Sequence, residues 1–136
     1  MAFTRRTGVR EVVSCLAGSA LAKGDLVQSI EATGSTTVDN AASNSAVFGV
    51  TLEAIASGSV GLVDRIHPGD IFEVTGITGT MSAAGVFKLA DIVDETTVTL
   101  TASNNDVRVM GWDGATTNKC YVSFTSPELS TATITI

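Results

Sequence analysis

Residues that carry chemistry are scarce in this chain. Among its 136 residues are two cysteines, two prolines, one histidine, one tryptophan and one tyrosine. Two well-separated cysteines supply neither a disulfide framework nor a thiolate metal site. Cys15 and Cys120 read as buried, reduced thiols; a single bridge between them is the alternative if the protein ends its life outside a cell. The one histidine, His67, precedes Pro68 in the turn sequence DRIHPGD. A triad histidine needs a nucleophile in an identifiable setting. The chain has no Gly-x-Ser-x-Gly elbow and neither cysteine stands in a nucleophile motif. No Cys-x-x-Cys, His-x-x-x-His or EF-hand loop is present, so no metal and no cofactor is expected. Asp91, Asp94 and Glu95 read as a solvated acidic turn.

Two further enzyme patterns fail on inspection. Gly76-Ile77-Thr78-Gly79-Thr80 lacks the Lys-Ser/Thr of a phosphate loop and opens no helix, so it reads as a hairpin turn. Glu53, Asp64, Asp70 and Glu73 sit on or beside expected strands, and a carboxylate pair is conceivable. Aromatics make up only 5% of the chain, however, which leaves little to stack a sugar. The expectation is a protein with no catalytic residues.

Long apolar runs are also missing. No window reaches the roughly 18 residues of a membrane span, and no signal-peptide core follows Met-Ala-Phe-Thr-Arg-Arg. The expected site of synthesis is the cytoplasm, with no membrane partner. Charged residues are sparse, at 16%, and the net charge is −6. A basic surface is what the phosphate backbone rewards, so nucleic acid is not an expected partner. The charge is uneven. Arg5, Arg6 and Arg10 lie in the first ten residues, and from residue 11 onward five basic residues stand against fourteen acidic ones.

What the chain does have is Val, Ile, Thr, Ser, Ala and Gly in short alternations. That pattern predicts an all-β fold: a compact β-barrel or β-tulip-like domain of about ten short strands. Strands are expected near Glu11–Leu16, Asp25–Glu31, Val47–Ala54, Ser59–Arg65, Ile71–Ile77, Gly85–Val93, Thr96–Thr101, Asp106–Trp112, Cys120–Thr125 and Thr131–Ile136. Thr33–Ser45 reads as a polar loop and Ser103–Asp106 as a turn. Residues 1–10 form an expected flexible arm and 11–136 a single domain, with 76–101 as an inserted hairpin lobe. Lys23-Gly24-Asp25-Leu26-Val27 echoes Pro68-Gly69-Asp70-Ile71-Phe72, which suggests either a duplication or a repeated turn chemistry. The large side chains, Phe87 among them, are expected to anchor the core. Trp112, at a strand end before Asp113-Gly114, is alternatively an interface residue.

Two stretches carry a family resemblance. The first runs from Leu21-Ala22-Lys23-Gly24-Asp25-Leu26-Val27 to Val47-Phe48-Gly49-Val50 and Ile55-Ala56-Ser57-Gly58-Ser59-Val60-Gly61-Leu62-Val63. It resembles tailed-phage capsid decoration (cement) proteins. The second, Gly69–Gly76 with Gly85–Leu89 and Thr96–Leu100, is similar to small β modules of phage structural proteins.

The resemblance implies a homo-oligomer, usually a trimer, on the outer face of an icosahedral shell. It would bind the major capsid protein and stabilise the shell by bridging capsomers. The arm would then be the gripping element, through Phe3, Thr4, Arg5, Arg6 and Arg10, adding a strand to a capsid edge. Trp112, with Ile134 and Ile136 of the alternating C-terminus, would serve an oligomer or partner interface. Two other readings use the same composition. One is a tail-tube, head–tail joining or fibre-base module; the other is a carbohydrate-binding surface domain.

Overall fold

The computed structural model describes residues 2–29, 37–43, 47–101 and 104–125. Among them are twelve strands and a 3₁₀ turn at Ala83–Gly85. The strands are β1 (Phe3–Thr7), β2 (Val12–Ala17), β3 (Leu26–Ser29), β4 (Thr37–Asn40), β5 (Val47–Thr51), β6 (Val60–Arg65), β7 (Ile71–Val74), β8 (Ile77–Thr78), β9 (Leu89–Ile92), β10 (Val98–Thr99), β11 (Val107–Gly111) and β12 (Cys120–Phe124). The protein is all-β, as its composition predicts.

The strands form two layers. Five close into a barrel in the order β2-β4-β3-β5-β6, and seven form a sheet in the order β1-β7-β12-β11-β9-β10-β8. The barrel closes through the antiparallel pairing of β2 with β6. Its interior holds Cys15, Ala17, Leu21, Val27, Val38, Ile55 and Val63. These side chains are small, so backbones approach closely. A Cβ on Gly61 would come within 2.5 Å of Ile55 Cγ1, which is why β6 carries a glycine facing the barrel interior.

A larger core lies between the inner face of the sheet and the barrel. Phe3, Phe72, Val74, Val107, Val109, Val122 and Phe124 come from the sheet; Leu26, Val47, Val50 and Ile66 meet them. The Phe124 ring lies between Phe3 and Phe72, with centroids 6.1 and 5.9 Å away. Three rings supply most of the bulk that an aliphatic, small-residue chain otherwise lacks.

Two elements differ from the sequence-based expectation by being strands. Phe3–Thr7 is not a loose arm: it pairs antiparallel with β7, from Phe3 opposite Val74 to Thr7 opposite Ile71. Burial of Phe3 and the partners of Arg5 fix it there. Thr37–Asn40, inside the expected polar loop, is β4, bonded to β3 and parallel to β2. Its Val38 is the one large apolar residue of the strand and fills the barrel.

Other expected strands are shorter. The Gly85–Val93 strand begins only at Leu89, because Phe87 adopts φ +67° and breaks the extended run. The 76–101 segment is built into the sheet rather than standing off as a lobe: β8, β9 and β10 extend it beyond β11. Met81, Ala90, Ile92 and Val98 of that segment belong to the main core. The Thr131–Ile136 strand lies outside the described residues.

The Gly-Asp echo is a shared turn. In each copy the Asp N–H donates to the carbonyl three residues back, Asp25 to Ala22 at 3.2 Å and Asp70 to His67 at 3.1 Å. In each, the Asp carboxylate accepts the N–H of that same residue at 2.9 Å. Both glycines are left-handed, at φ +85° and +87°. The likeness stops at the turn. The first leads into β3, which pairs with β5; the second leads into β7, which pairs with β12 and not with β11.

Candidate interaction surfaces

The gripping residues expected near the N-terminus divide once the fold is known. Alternation along β1 sends Phe3 and Arg5 inward and Thr4 and Arg6 to the outer face. Phe3 is fully buried. Arg5 reaches from β1 to the barrel and the β6–β7 connection. Its Nε and Nη2 donate to the two carboxylate oxygens of Asp64, at 2.8 and 2.9 Å. Nη2 also donates to the Arg65 carbonyl, and Nη1 lies 2.8 Å from Asp70 Oδ2. The guanidinium stacks over Phe72, 4.8 Å from the ring centroid. Burial opposes its charge, but hydrogen bonds to Asp64 and Asp70 outweigh that effect and raise its pKa further. The side chains of Arg5 and Phe3 are thus engaged within the fold and hold the two layers together.

Arg6 and Arg10 stay at the surface. Arg6 lies over the Tyr121 ring at 5.3 Å and 3.5 Å from Glu73. Arg10 is 3.5 Å from Asp64. Around them, Arg65 pairs with Glu11, and His67 Nε2 lies 2.7 Å from Glu11 Oε2. The carboxylates that suggested acid–base chemistry are engaged one by one. Asp64 and Asp70 hold Arg5, Glu73 meets Arg6 and Lys119, and Glu53 accepts the Leu62 N–H. Asp91 accepts the N–H groups of Asn104 and Asn105, and Asp94 that of Thr96.

Trp112 lies half-buried against the main core. Its indole N–H donates to the Thr116 carbonyl at 2.8 Å. Asp113 pins the same loop by accepting from the Thr116 hydroxyl and from the N–H groups of Thr116 and Ala115. These bonds, the Thr116 hydroxyl first, lower its pKa to about 2. Ile134 and Ile136, the other expected interface residues, lie outside the described residues.

The barrel presents an apolar outer face that the sequence did not single out. On paired β2 and β6, Leu16 stands opposite Val60 and Ser14 opposite Leu62. Val12, Leu16, Val60 and Leu62 are all exposed, Val60 at 67%. Val9, in the preceding loop, is 84% exposed. Both faces of β2 are apolar, so its sequence reads as a fully buried strand.

Phe87 is the other departure. Instead of anchoring the core it is 63% exposed. Its N–H donates to the Val109 carbonyl at 2.7 Å, and its carbonyl accepts from Arg108 Nη1 at 2.7 Å.

No family model and no curated protein matches the sequence. The fold, by contrast, matches a solved structure. The fold is similar to that of a phage head fiber base. That structure, the N base of head fiber gp8.5 in bacteriophage phi29, aligns with a TM-score of 0.62 at 13% identity. The alignment covers 90% of this chain and 99% of that one. The likeness to the head fiber base thus extends over barrel and sheet together rather than over one layer.

Proposed function

We propose that this chain is a non-catalytic structural protein of a phage virion, seated on the outer surface of the head and bound to the major capsid protein. The observation that carries the reading is the shared two-layer fold, which spans nearly the whole of a head fiber base. A base and a decoration subunit meet the same physical demand, since in either role a small β body must hold to an assembled shell. Binding only the assembled form stabilises it by mass action, and repetition over many sites multiplies the effect. Between the two roles, the head fiber likeness favours a base that carries further structure outward.

The surface supports the same reading. The body is acidic, and Asp64, Asp70, Glu11 and Glu73 are tied up in ion pairs that hold the fold. The apolar face of Val12, Leu16, Val60 and Leu62 is the natural contact between copies, in a homo-oligomer for which a trimer fits a three-fold position on the shell. Of the residues expected to grip the capsid, Thr4, Arg6 and Arg10 reach the surface, which favours contact through the folded body over contact through a free arm.

Co-sedimentation with heads stripped of this chain tests the proposal. Saturable binding, with protein recovered in the particle fraction and by mass spectrometry of native virions, is expected. Protein that stays in the supernatant and is missing from virions overturns it.

A further inference from the structure

Phe87 stands on a backbone that disfavours it. A non-glycine residue at φ +67° is strained, and a bulky aromatic more than most. Its ring gains nothing from the core in return, being 63% exposed. The strain is nonetheless held firmly. The Phe87 N–H and carbonyl are both bonded to β11, and the Val109 N–H donates to the Lys88 carbonyl at 2.9 Å. The result is a rigid knuckle beside the sheet that displays an aromatic ring.

The charge around it is equally distinctive. Lys88 follows directly, and Arg108 is bonded to the Phe87 carbonyl. Both are exposed. Among the described residues, neither meets a carboxylate within ion-pair distance, and of the other six basic residues only Lys23, far along the chain, shares that state; Arg5, Arg6, Arg10, Arg65 and Lys119 are all paired. In a chain of net charge −6, two unneutralised cations flank one exposed ring.

We infer that Phe87, Lys88 and Arg108 form a docking surface for an acidic patch on another virion protein, the ring entering an apolar socket and the two cations meeting carboxylates. The inference rests on the virion reading and names the surface through which the chain would grip the head. An exposed aromatic ring beside an arginine is a pairing enriched at protein interfaces. Complementary charge would set its orientation and speed its encounter. Strain kept at an exposed position, where glycine would relieve it, fits a residue retained for contact.

The test uses full-length protein and heads stripped of this chain, in co-sedimentation at increasing sodium chloride. F87G, F87A and the double variant K88E/R108E are compared with wild type, and K23E serves as an exposed-charge control. Expected are at least tenfold weaker binding for F87G, F87A and K88E/R108E, unchanged binding for K23E, and wild-type binding that weakens with salt. F87G should melt no lower than wild type, which separates lost contact from lost fold. If wild type binds and the three knuckle variants bind equally well, the docking surface is wrong while the virion reading stands. If wild type itself does not bind, the virion reading fails and takes this surface with it.

Discussion

Arg5 is the residue on which the two layers turn. It leaves β1, crosses the interface and satisfies two carboxylates, one on β6 and one in the turn before β7. Breaking a buried pair strands the remaining charge, at about 3–5 kcal/mol. Arg5→Ala should lower stability by that amount in urea denaturation. Arg5→Lys should recover only part, because a point charge cannot fork between Asp64 Oδ1 and Oδ2. The residue's role was hidden in the sequence, where Arg5-Arg6 reads as a solvated pair. Only the alternation of β1, known once its pairing with β7 is known, separates one from the other.

The paired turns make a second test at this scale. Asp25 and Asp70 bond the backbone in the same way but sit in opposite fields. Burial raises the Asp25 pKa, and the nearby charges of Glu95 and Asp94 add to the rise, against the lowering effect of the Ala22 N–H. A raised carboxylate pKa favours folding below the ordinary carboxylate range and loses that contribution as pH climbs through the folded value. Asp25→Asn should therefore be at least as stable as wild type at pH 7, with its advantage gone near pH 4. Asp70→Asn, which takes a charged partner from Arg5, should lose about 2 kcal/mol at pH 7. Thermal melts across pH read both.

The cysteines complete the residue scale. Burial pushes each thiol up to about 11. They are unpaired and belong to separate cores, Cys15 to the barrel and Cys120 to the sheet. Native protein should resist a thiol reagent at pH 8, and both thiols should react once urea unfolds the chain.

At the scale of elements, β1 decides how the protein can be cut. Removing Phe3 from the core costs about 3–5 kcal/mol, and removing Arg5 costs a similar amount. Together they approach the whole stability of a domain this size, about 5–15 kcal/mol. Deleting residues 1–7 should leave a chain with no cooperative unfolding transition, where a free arm would leave the transition intact. Circular dichroism during heating distinguishes the two.

The elements legible from sequence were those whose alternation is unbroken. β6, β11 and β12 fall within one or two residues of their expected bounds, since Val, Leu, Tyr and Phe alternate there with polar or small residues. β4 was not legible, because Thr37-Val38-Asp39-Asn40 has one large apolar residue and looks like loop. The break at Phe87 was not legible either, because nothing in Gly85-Val86-Phe87-Lys88 signals a left-handed phenylalanine. The candidate surfaces suffered most. Pairing of β2 with β6, a long-range fact, is what turns Val12, Leu16, Val60 and Leu62 into one face.

At the scale of the whole molecule, the barrel keeps a small core of its own and meets the sheet across a larger one, and the apolar outer face of the barrel is left outside both. If copies meet there, Val60→Asp with Leu62→Asp should yield a folded monomer near 13.9 kDa in analytical ultracentrifugation, against a larger wild-type species. An unchanged mass would place the contact elsewhere. The acidic body and the fold shared with a head fiber base are the whole-molecule features on which the proposed virion role rests.

The most direct test is a cryo-electron microscopy reconstruction of the virions that carry this chain. Density for a five-stranded barrel and a seven-stranded sheet is expected outside the head shell, touching the major capsid protein. Density for the fold within the tail, or heads with no such density although the chain is expressed, would contradict a seat on the head.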